Sequence, residues 1–259
     1  MRVVWLAAGA VVTVIALLIS TLVLWRGVAR ARLPEEDARR SIPFAQKNVR
    51  IKTGRGTQVH LSVFPGTAGE LFVERSLTWS RDRPTVTEDW DSRSSTLRLD
   101  AVCPGADQPD GPLCQADFIV FVPPETDIEA ATTGGDLIVN DVFGKLRLSS
   151  VSGNVHINDI SGTIWARTGT GNVDAHGLDV EQADVEIGSG RVKLSFISAP
   201  TDVKAVVRTT GNISVNVPRA TYRVTADAAE SEIDVEQNPQ ASRNIVVKAP
   251  NGTVSVCCD

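Results

Sequence analysis

Aromatic residues, histidine and methionine are scarce in this chain. Among 259 residues there are five Trp, one Tyr, seven Phe, three His and one Met. This scarcity excludes a core built mainly from large aromatic side chains. Together with 20 Gly, it favours a core of small β-branched residues between many turns. The hydrophobic share of 42% excludes a chain that is disordered throughout.

Basic residues are outnumbered by acidic ones beyond the N-terminus. Residues 1–32 contain four Arg and no acidic residue, so the other 227 residues carry 22 basic and 31 acidic groups, a net charge of −9. A dedicated nucleic-acid-binding protein has a basic surface instead. We therefore expect no nucleic-acid partner.

The motifs of common catalytic sites are missing. The sequence contains no Gly-x-Ser-x-Gly, no phosphate-binding loop, no His-Glu-x-x-His and no Cys-x-x-Cys. One Thr-Gly-Gly-Asp at residues 133–136 resembles a calcium-binding repeat, but it has no tandem copies. We therefore expect no catalytic residue, no metal site and no cofactor.

An uncharged run of 23 residues, Val3 to Trp25, predicts an N-terminal transmembrane anchor within residues 1–26. At a rise of ~1.5 Å per residue the run spans roughly 35 Å, enough for a hydrocarbon core of ~30 Å. Tryptophans lie near both ends, as is typical of membrane interfaces. A cleavable signal peptide ending near residue 31 is the alternative, but its apolar region is usually only ~7–15 residues long.

The residues after the anchor give conflicting indications of orientation. Residues 27–43 are rich in Arg and Glu and are predicted to be a juxtamembrane linker. More Arg follows the run than precedes it, and the positive-inside rule would place the C-terminal domain in the cytoplasm. Long domains can translocate regardless of charge, and the cysteines favour an oxidising compartment. We expect a single-pass protein with its C-terminal domain extracytoplasmic.

Cys103 and Cys114 bracket a loop of turn-forming residues and predict a disulfide. Such a bridge stabilises by ~2–3 kcal/mol in the chain-entropy model. A zinc site is the alternative, but the spacing and the lack of nearby His do not fit one. For the adjacent Cys257 and Cys258, a vicinal disulfide, an intermolecular bridge and reduced thiols all stay open.

A repeat of 18–21 residues runs from about residue 133 to the end. Each of its seven copies begins at a turn, mostly Gly-Asn or Gly-Asp, and continues as an alternating strand. The third and fifth positions of every copy are apolar, and the position between them is polar in all but the first. The apolar pairs are Leu137/Val139, Val155/Ile157, Val173/Ala175, Val192/Leu194, Ile213/Val215, Ile233/Val235 and Val254/Val256.

A second alternating strand follows in most copies, for example at residues 145–148 and 163–166. Two strands and two turns in about 20 residues form one rung of a β-solenoid, whose rungs stack ~4.8 Å apart. The predicted fold class is all-β: a single-stack β-solenoid over residues 44–259, with regular rungs at 133–259, preceded by one transmembrane helix. A β-sandwich is the alternative, but it does not require columns in register. Trp79 and Trp90 are predicted to cap the open end.

The anchor, the Cys-flanked loop and rungs written Thr-Gly-Gly-Asp, Ser-Gly-Asn-Val and Thr-Gly-Asn-Val resemble a bacterial family of candidate adhesins of unknown function. The resemblance covers roughly residues 45–257 and is greatest to actinobacterial members. It implies an envelope-facing β-solenoid connected with cell-surface contact or envelope stress. It implies no site residues.

Asp141 and Asp159 are the candidates for a catalytic pair. They lie 18 residues apart, about one rung, and solenoid polysaccharide hydrolases use paired carboxylates. The favoured alternative is that both satisfy backbone groups at a corner. We expect a cell-envelope adhesin or structural binding module without catalytic activity, with the membrane and an envelope glycan or surface protein as partners. The alternatives are a polysaccharide-active enzyme using these two residues and an envelope-stress accessory protein.

Overall fold

The structure, a computed structural model, describes residues 15, 17–21, 33–54, 58–105, 108 and 111–258. The chain divides into two compact units, Met1–Pro34 and Glu35–Asp259. In the first unit the described residues 15 and 17–21 are helical, and Thr21 Oγ1 donates a hydrogen bond to the Leu17 carbonyl at 2.8 Å. Within the described ranges, no helix has the length and apolar character needed to cross a membrane. Most of the predicted anchor lies outside those ranges.

The second unit consists of β-strands, as the alternating pattern predicted. Its strands are β1 (Glu35–Pro43), β2 (Asn48–Thr53), β3 (Gln58–Pro65), β4 (Glu70–Trp79), β5 (Thr85–Asp91), β6 (Thr96–Val102), β7 (Cys114–Val122), β8 (Asp127–Thr132), β9 (Leu137–Asn140), β10 (Leu146–Ser152), β11 (Val155–Asn158), β12 (Ser161–Thr170), β13 (Val173–Phe196), β14 (Asp202–Val207), β15 (Gly211–Val217), β16 (Thr221–Asp234), β17 (Glu236–Gln237) and β18 (Asn244–Cys258).

Most of these strands form two parallel faces that lie opposite each other in a solenoid. Face A contains β2, β6, β8, β10, β12, β14 and one part each of β13, β16 and β18. Face B contains β3, β7, β9, β11, β15 and the other parts of those three strands. Neighbouring rungs are parallel and in register, with Leu146 opposite Ile164 and Val155 opposite Val173. The predicted β-solenoid is confirmed, and a sandwich is excluded.

Aliphatic columns fill the space between the two faces. Twelve of the fourteen repeat positions are buried, none of them more than 2% exposed. Tyr222 and Phe118 are the aromatic side chains among the largest that are fully buried. The scarcity of aromatic residues therefore corresponds to a narrow core of stacked aliphatic side chains, as expected from the composition.

The order of rungs at the C-terminal end differs from the order in the sequence. The last copy stacks directly on the fifth, because Ile213 lies opposite Val254. The sixth copy lies outside it, with Ile233 opposite Val256. Ile233 and Val235 are consequently the two repeat positions that are only half-buried. Strand β18 thus lies inside the stack, and β16 lies outside it.

The N-terminal end has the same inverted order and an antiparallel cap. The rung of β2 and β3 lies between β6–β7 and β8–β9. Outside it, β1 pairs antiparallel with β4, β4 with β7, and β5 with β6. Trp79 and Trp90 pack against the core at this end, and Trp90 contacts Phe44 edge-on, as the predicted cap requires.

The linker predicted for residues 27–43 needs correction in its second part. Residues 35–43 form β1, which pairs with β4 along its whole length from Glu35 opposite Thr78 to Pro43 opposite Glu70. An edge strand buries few side chains, so its sequence can be as rich in charged residues as that of a linker. For this reason the sequence of β1 suggested a linker. The boundary of the first compact unit at Pro34 agrees with this correction.

The predicted disulfide joins Cys103, directly after β6, to Cys114 at the start of β7. Their Cα atoms are 6.1 Å apart. The bridge closes the base of the loop between the two outermost parallel strands of the stack. Cys257 and Cys258 lie at the end of β18 and are half-buried.

Glycine is required where successive turns stack directly on each other. Gly171 has a φ of +129°, and a Cβ atom placed on it would lie 2.2 Å from the carbonyl oxygen of Gly153. A side chain there would collide with rigid backbone as well as adopt an unfavourable conformation. The repeated Gly in the sequence therefore reflects close contact between rungs.

Candidate functional site

Asp141 and Asp159 occupy equivalent corners after successive strands of face B. Both have left-handed backbones, with φ of 52° and 55°, and the next equivalent residue, Gly177, has a φ of 63°. The backbone N–H of Asp159 donates to the carbonyl of His176 at 3.0 Å. Asp, Asn and Gly tolerate this conformation better than other residues. The left-handed backbone therefore accounts for the residue types in this column. Hydrogen bonding of the two carboxylates to backbone groups stays a prediction.

The Thr-Gly-Gly-Asp segment belongs to a second polar column with a structural role. Asp136 Oδ1 accepts hydrogen bonds from the backbone N–H and the side-chain Nδ2 of Asn154, at 3.2 and 3.1 Å. Asn154 Oδ1 accepts the same two bonds from Asn172, each at 3.1 Å. These side chains satisfy backbone donors between rungs. In the part of the chain that the structure describes, no group of three or more His, Cys, Asp or Glu could hold a metal ion.

The outer surface of face A has a different character, since charged side chains follow one another from rung to rung. Register places the outward-facing residues of one column opposite each other in six successive rungs. They are Arg50, Glu129, Arg147, Trp165, Asp184 and Lys204. Trp165 is the aromatic member of this column and is partly exposed.

Trp165 holds two arginines from neighbouring positions. The guanidinium carbon of Arg147, on the preceding rung, lies 3.8 Å from the ring centroid. That of Arg167, on the same strand, lies 4.5 Å from the same centroid. Both distances are within the range of a cation–π interaction. The indole thus fixes two planar cations on the surface of the sheet.

The two arginines differ in their anionic partners. Arg167 forms ion pairs with Asp184 at 2.8 Å and Glu186 at 3.3 Å. Arg147 is exposed, and no described carboxylate lies within ion-pair distance of its guanidinium. Lys145, two residues before it, is likewise exposed and forms no ion pair with a described residue. Arg147 and Lys145 are therefore unpaired among the described residues, although Glu129 and Asp127 lie in the same neighbourhood.

Two shallow clefts lie on this face. One of about 330 Å³ is lined by Arg50, Glu129, Lys145, Arg147 and Trp165, among others. The other, of about 470 Å³, lies further along the stack against Arg167, Glu186 and Arg208. Arg208 also forms an ion pair with Glu186. Charged groups and one aromatic ring thus form a continuous open surface, which can bind an extended ligand but offers no enclosed chamber.

The geometry defines a parallel β-solenoid with an open, charged outer face. The chain belongs to the Toastrack DUF4097 family, which matches residues 41–257. The resemblance stated from the sequence is thereby confirmed at the level of the family, while the actinobacterial detail and the membrane anchor stay predictions.

Several solved bacterial structures are similar to this chain. A candidate adhesin from Bacteroides fragilis has 14% identity and a TM-score of 0.42, covering 87% of this chain and 99% of its own. A candidate adhesin from Parabacteroides distasonis has 11% identity and a TM-score of 0.43, covering 85% and 97%. A candidate cell adhesion protein from Clostridium sporogenes has 11% identity and a TM-score of 0.39, covering 87% and 100%. The comparison with curated proteins gave no match.

Sequence reasoning did not single out Arg147, Trp165 or Arg167. The available signal was the repeat itself, because Arg147 and Trp165 are 18 residues apart in aligned second strands. An arginine and a tryptophan at the same outward position of neighbouring copies indicate a cation–π contact. The ion pairs of Arg167, which Arg147 lacks among the described residues, depend on side-chain placement, and the repeat does not specify that placement.

Proposed function

We propose that this chain is a non-catalytic, adhesin-like module of the bacterial cell envelope. The segment before residue 27 holds it in the membrane, the solenoid lies on the extracytoplasmic side, and the outer surface of face A binds an envelope glycan. The observation that carries the proposal is the exposed Arg147, stacked on Trp165 without a carboxylate partner among the described residues. An ordered, unpaired cation on an open surface is suited to binding.

Two further observations support parts of this proposal. The Cys103–Cys114 disulfide favours the oxidising side of the membrane, since thiols in the cytoplasm are kept reduced. The left-handed corners at Asp141 and Asp159 account for these residues without catalysis. Neither aspartate lines the clefts of face A.

The orientation is tested by thiol labelling of whole cells. The full-length chain carrying Cys257→Ser and Cys258→Ser leaves Cys103 and Cys114 as its cysteines. We expect no reaction with a membrane-impermeant maleimide until cells are treated with an impermeant reductant, and reaction thereafter. Labelling that requires cell lysis would place the domain in the cytoplasm and contradict the proposal.

The binding function is tested with cells that display the full-length chain. We expect them to adhere to surfaces coated with envelope glycan more strongly than cells lacking the chain, without releasing new reducing ends from it. Glycan cleavage that is abolished by Asp141→Asn would replace the binding function with the enzymatic one. Equal adherence of both cell types would contradict the proposal.

A further inference from the structure

We propose that Arg147, stacked on Trp165, is a subsite for the carboxylate groups of an anionic polysaccharide. This inference rests on the proposed function, because it names the class of glycan that the outer surface of face A would bind. The starting observation is that two basic side chains form no ion pair within the described chain although the domain is acidic overall. Residues 33–259 carry a net charge of −9, yet Arg147 and Lys145 lie together without an ion pair to any described residue.

The stacking on Trp165 prepares Arg147 for an anion. The guanidinium carbon lies 3.8 Å from the indole centroid, and this contact restricts the side chain, so that less rotamer freedom is lost on binding. Arg167 lies over the same ring at 4.5 Å, and two carboxylates already pair with it.

Arg167 indicates which anion fits. On the same indole, its guanidinium is already satisfied by the carboxylates of Asp184 and Glu186, at 2.8 and 3.3 Å. Arg147 has the same ring contact and the same planar donors, but no such partner from the described chain. A carboxylate of a ligand could pair with Arg147 as the carboxylates of Asp184 and Glu186 pair with Arg167, since planar carboxylates match the donor fork of arginine.

The shape of the surface favours a chain molecule. The cleft of about 330 Å³ beside the stack is open and is lined by polar and charged groups, including Arg50 and Thr163. Arg50 lies two rungs before Arg147 in the same column, which places the two Cα atoms ~10 Å apart at ~4.8 Å per rung. A polymer could lie along this column, and because Glu129 already pairs with Arg50 at 3.0 Å, the polymer's carboxylate would bind at Arg147.

The test measures binding of defined polymers to the full-length chain in detergent micelles by calorimetry. The probes are polygalacturonate, poly(glycerol phosphate) and uncharged dextran. We expect polygalacturonate to bind, Arg147→Gln to weaken its affinity about tenfold or more, and Arg147→Lys to restore only part of the loss. Arg191→Gln is the matched control, because it removes one exposed charge from the part of β13 that lies on face B and should leave affinity unchanged.

Each other outcome counts against the inference. Equal effects of Arg147→Gln and Arg191→Gln would reduce the binding to general charge attraction and overturn the subsite. Binding of poly(glycerol phosphate) in preference to polygalacturonate would overturn the carboxylate assignment, and equal binding of dextran would overturn the anion requirement. If displaying cells adhere to glycan while Arg147→Gln has no effect, the subsite fails and the binding function stands. If no polymer binds and cells do not adhere, both fail.

Discussion

Asp141, Asp159 and Gly177 show how one backbone requirement selects residues in successive rungs. All three share a left-handed conformation at the same corner, and only residues that tolerate it can occupy the column. A Cβ atom on Gly177 would meet the Asp159 carboxylate, with 2.1 Å to its Oδ1 atom. The Asp159 carboxylate thus lies next to Gly177, which belongs to the following rung.

At this corner, we expect Asp159→Gly to leave the free energy of unfolding nearly unchanged. Asp159→Val should lower it by about 1–2 kcal/mol, because a β-branched residue is strained in the left-handed region. The measurement is chemical denaturation of the full-length chain in detergent, with Asp174→Val on a regular strand of face B as the control. Equal losses for the two valine substitutions would contradict the backbone explanation.

The elements at the two ends of the solenoid differ most from the interior. The first rung in the sequence, β2 and β3, is covered by β6 and β7, which come later in the chain. The last rung, formed by β18, is covered by β16, which comes earlier. The outer strand β16 is mostly exposed and carries Asp227, Glu230, Glu232 and Asp234. Charged side chains on an exposed edge discourage pairing with other chains.

Two valines at the same position of neighbouring copies test this rung order. Val256 is fully buried in the inner rung, whereas Val235 is half-buried in the outer one. We expect Val256→Ala to lower the free energy of unfolding by about 2 kcal/mol and Val235→Ala by less than about 1 kcal/mol, because only the first leaves a cavity. The measurement is again chemical denaturation. Losses in the reverse order would indicate that rungs stack in sequence order.

The strand β1 is held to its neighbours by charged contacts centred on Glu36. Its carboxylate accepts hydrogen bonds from Arg83 at 2.7 Å and Arg75 at 3.1 Å. The Arg83 hydrogen bond, followed by the charges of Arg83 and Arg75, holds the pKa of Glu36 below its ordinary value of 4.5. Because the pKa is lowered in the folded state, this stabilisation is present above pH 4.5 and is lost as the pH falls through the folded-state pKa.

We therefore expect amide hydrogen exchange in residues 35–43 to accelerate as the pH falls below 4.5, beyond the intrinsic change in exchange rate. Glu36→Gln should raise exchange there already at neutral pH and remove most of the pH effect. Glu35→Gln is the control, since its contact to Ser76 is a hydrogen bond of 3.5 Å without an ion pair. Identical behaviour of the two variants would contradict the role of Glu36.

The repeat predicted the strands in the interior of the solenoid but not the order of the rungs at its two ends. The apolar pairs of six of the seven copies lie in β9, β11, β13, β15 and β18, as the repeat predicted, but the sixth copy is displaced by two residues, with Ile233 opposite Val256. The columns did not specify which copy stacks on which, because every copy presents the same apolar pair to either neighbour. β1 was missed because its contacts to Arg75 and Arg83 join residues about 40 positions apart or more.

At the scale of the whole molecule, the net charge of −5 is an average over unlike parts. Basic residues are concentrated before residue 33, and beyond it the acidic excess is spread over many rungs. On the outer surface of face A, most charges are paired between neighbouring rungs, such as Arg50 with Glu129 at 3.0 Å and Lys204 with Asp184 at 3.7 Å. Exposed pairs of this kind contribute little to stability.

A solenoid responds to damage locally, because each rung contacts only its neighbours. The Cys103–Cys114 bridge joins β6 to β7 at the N-terminal end of the stack. We expect its reduction to lower stability there by ~2–3 kcal/mol, by releasing a short loop in the unfolded state. Hydrogen exchange should rise in β4 to β7 and stay unchanged in residues 173–217. The double variant Cys103→Ser/Cys114→Ser should not respond to reductant, and a uniform rise across all rungs would mean that the stack unfolds as one cooperative unit.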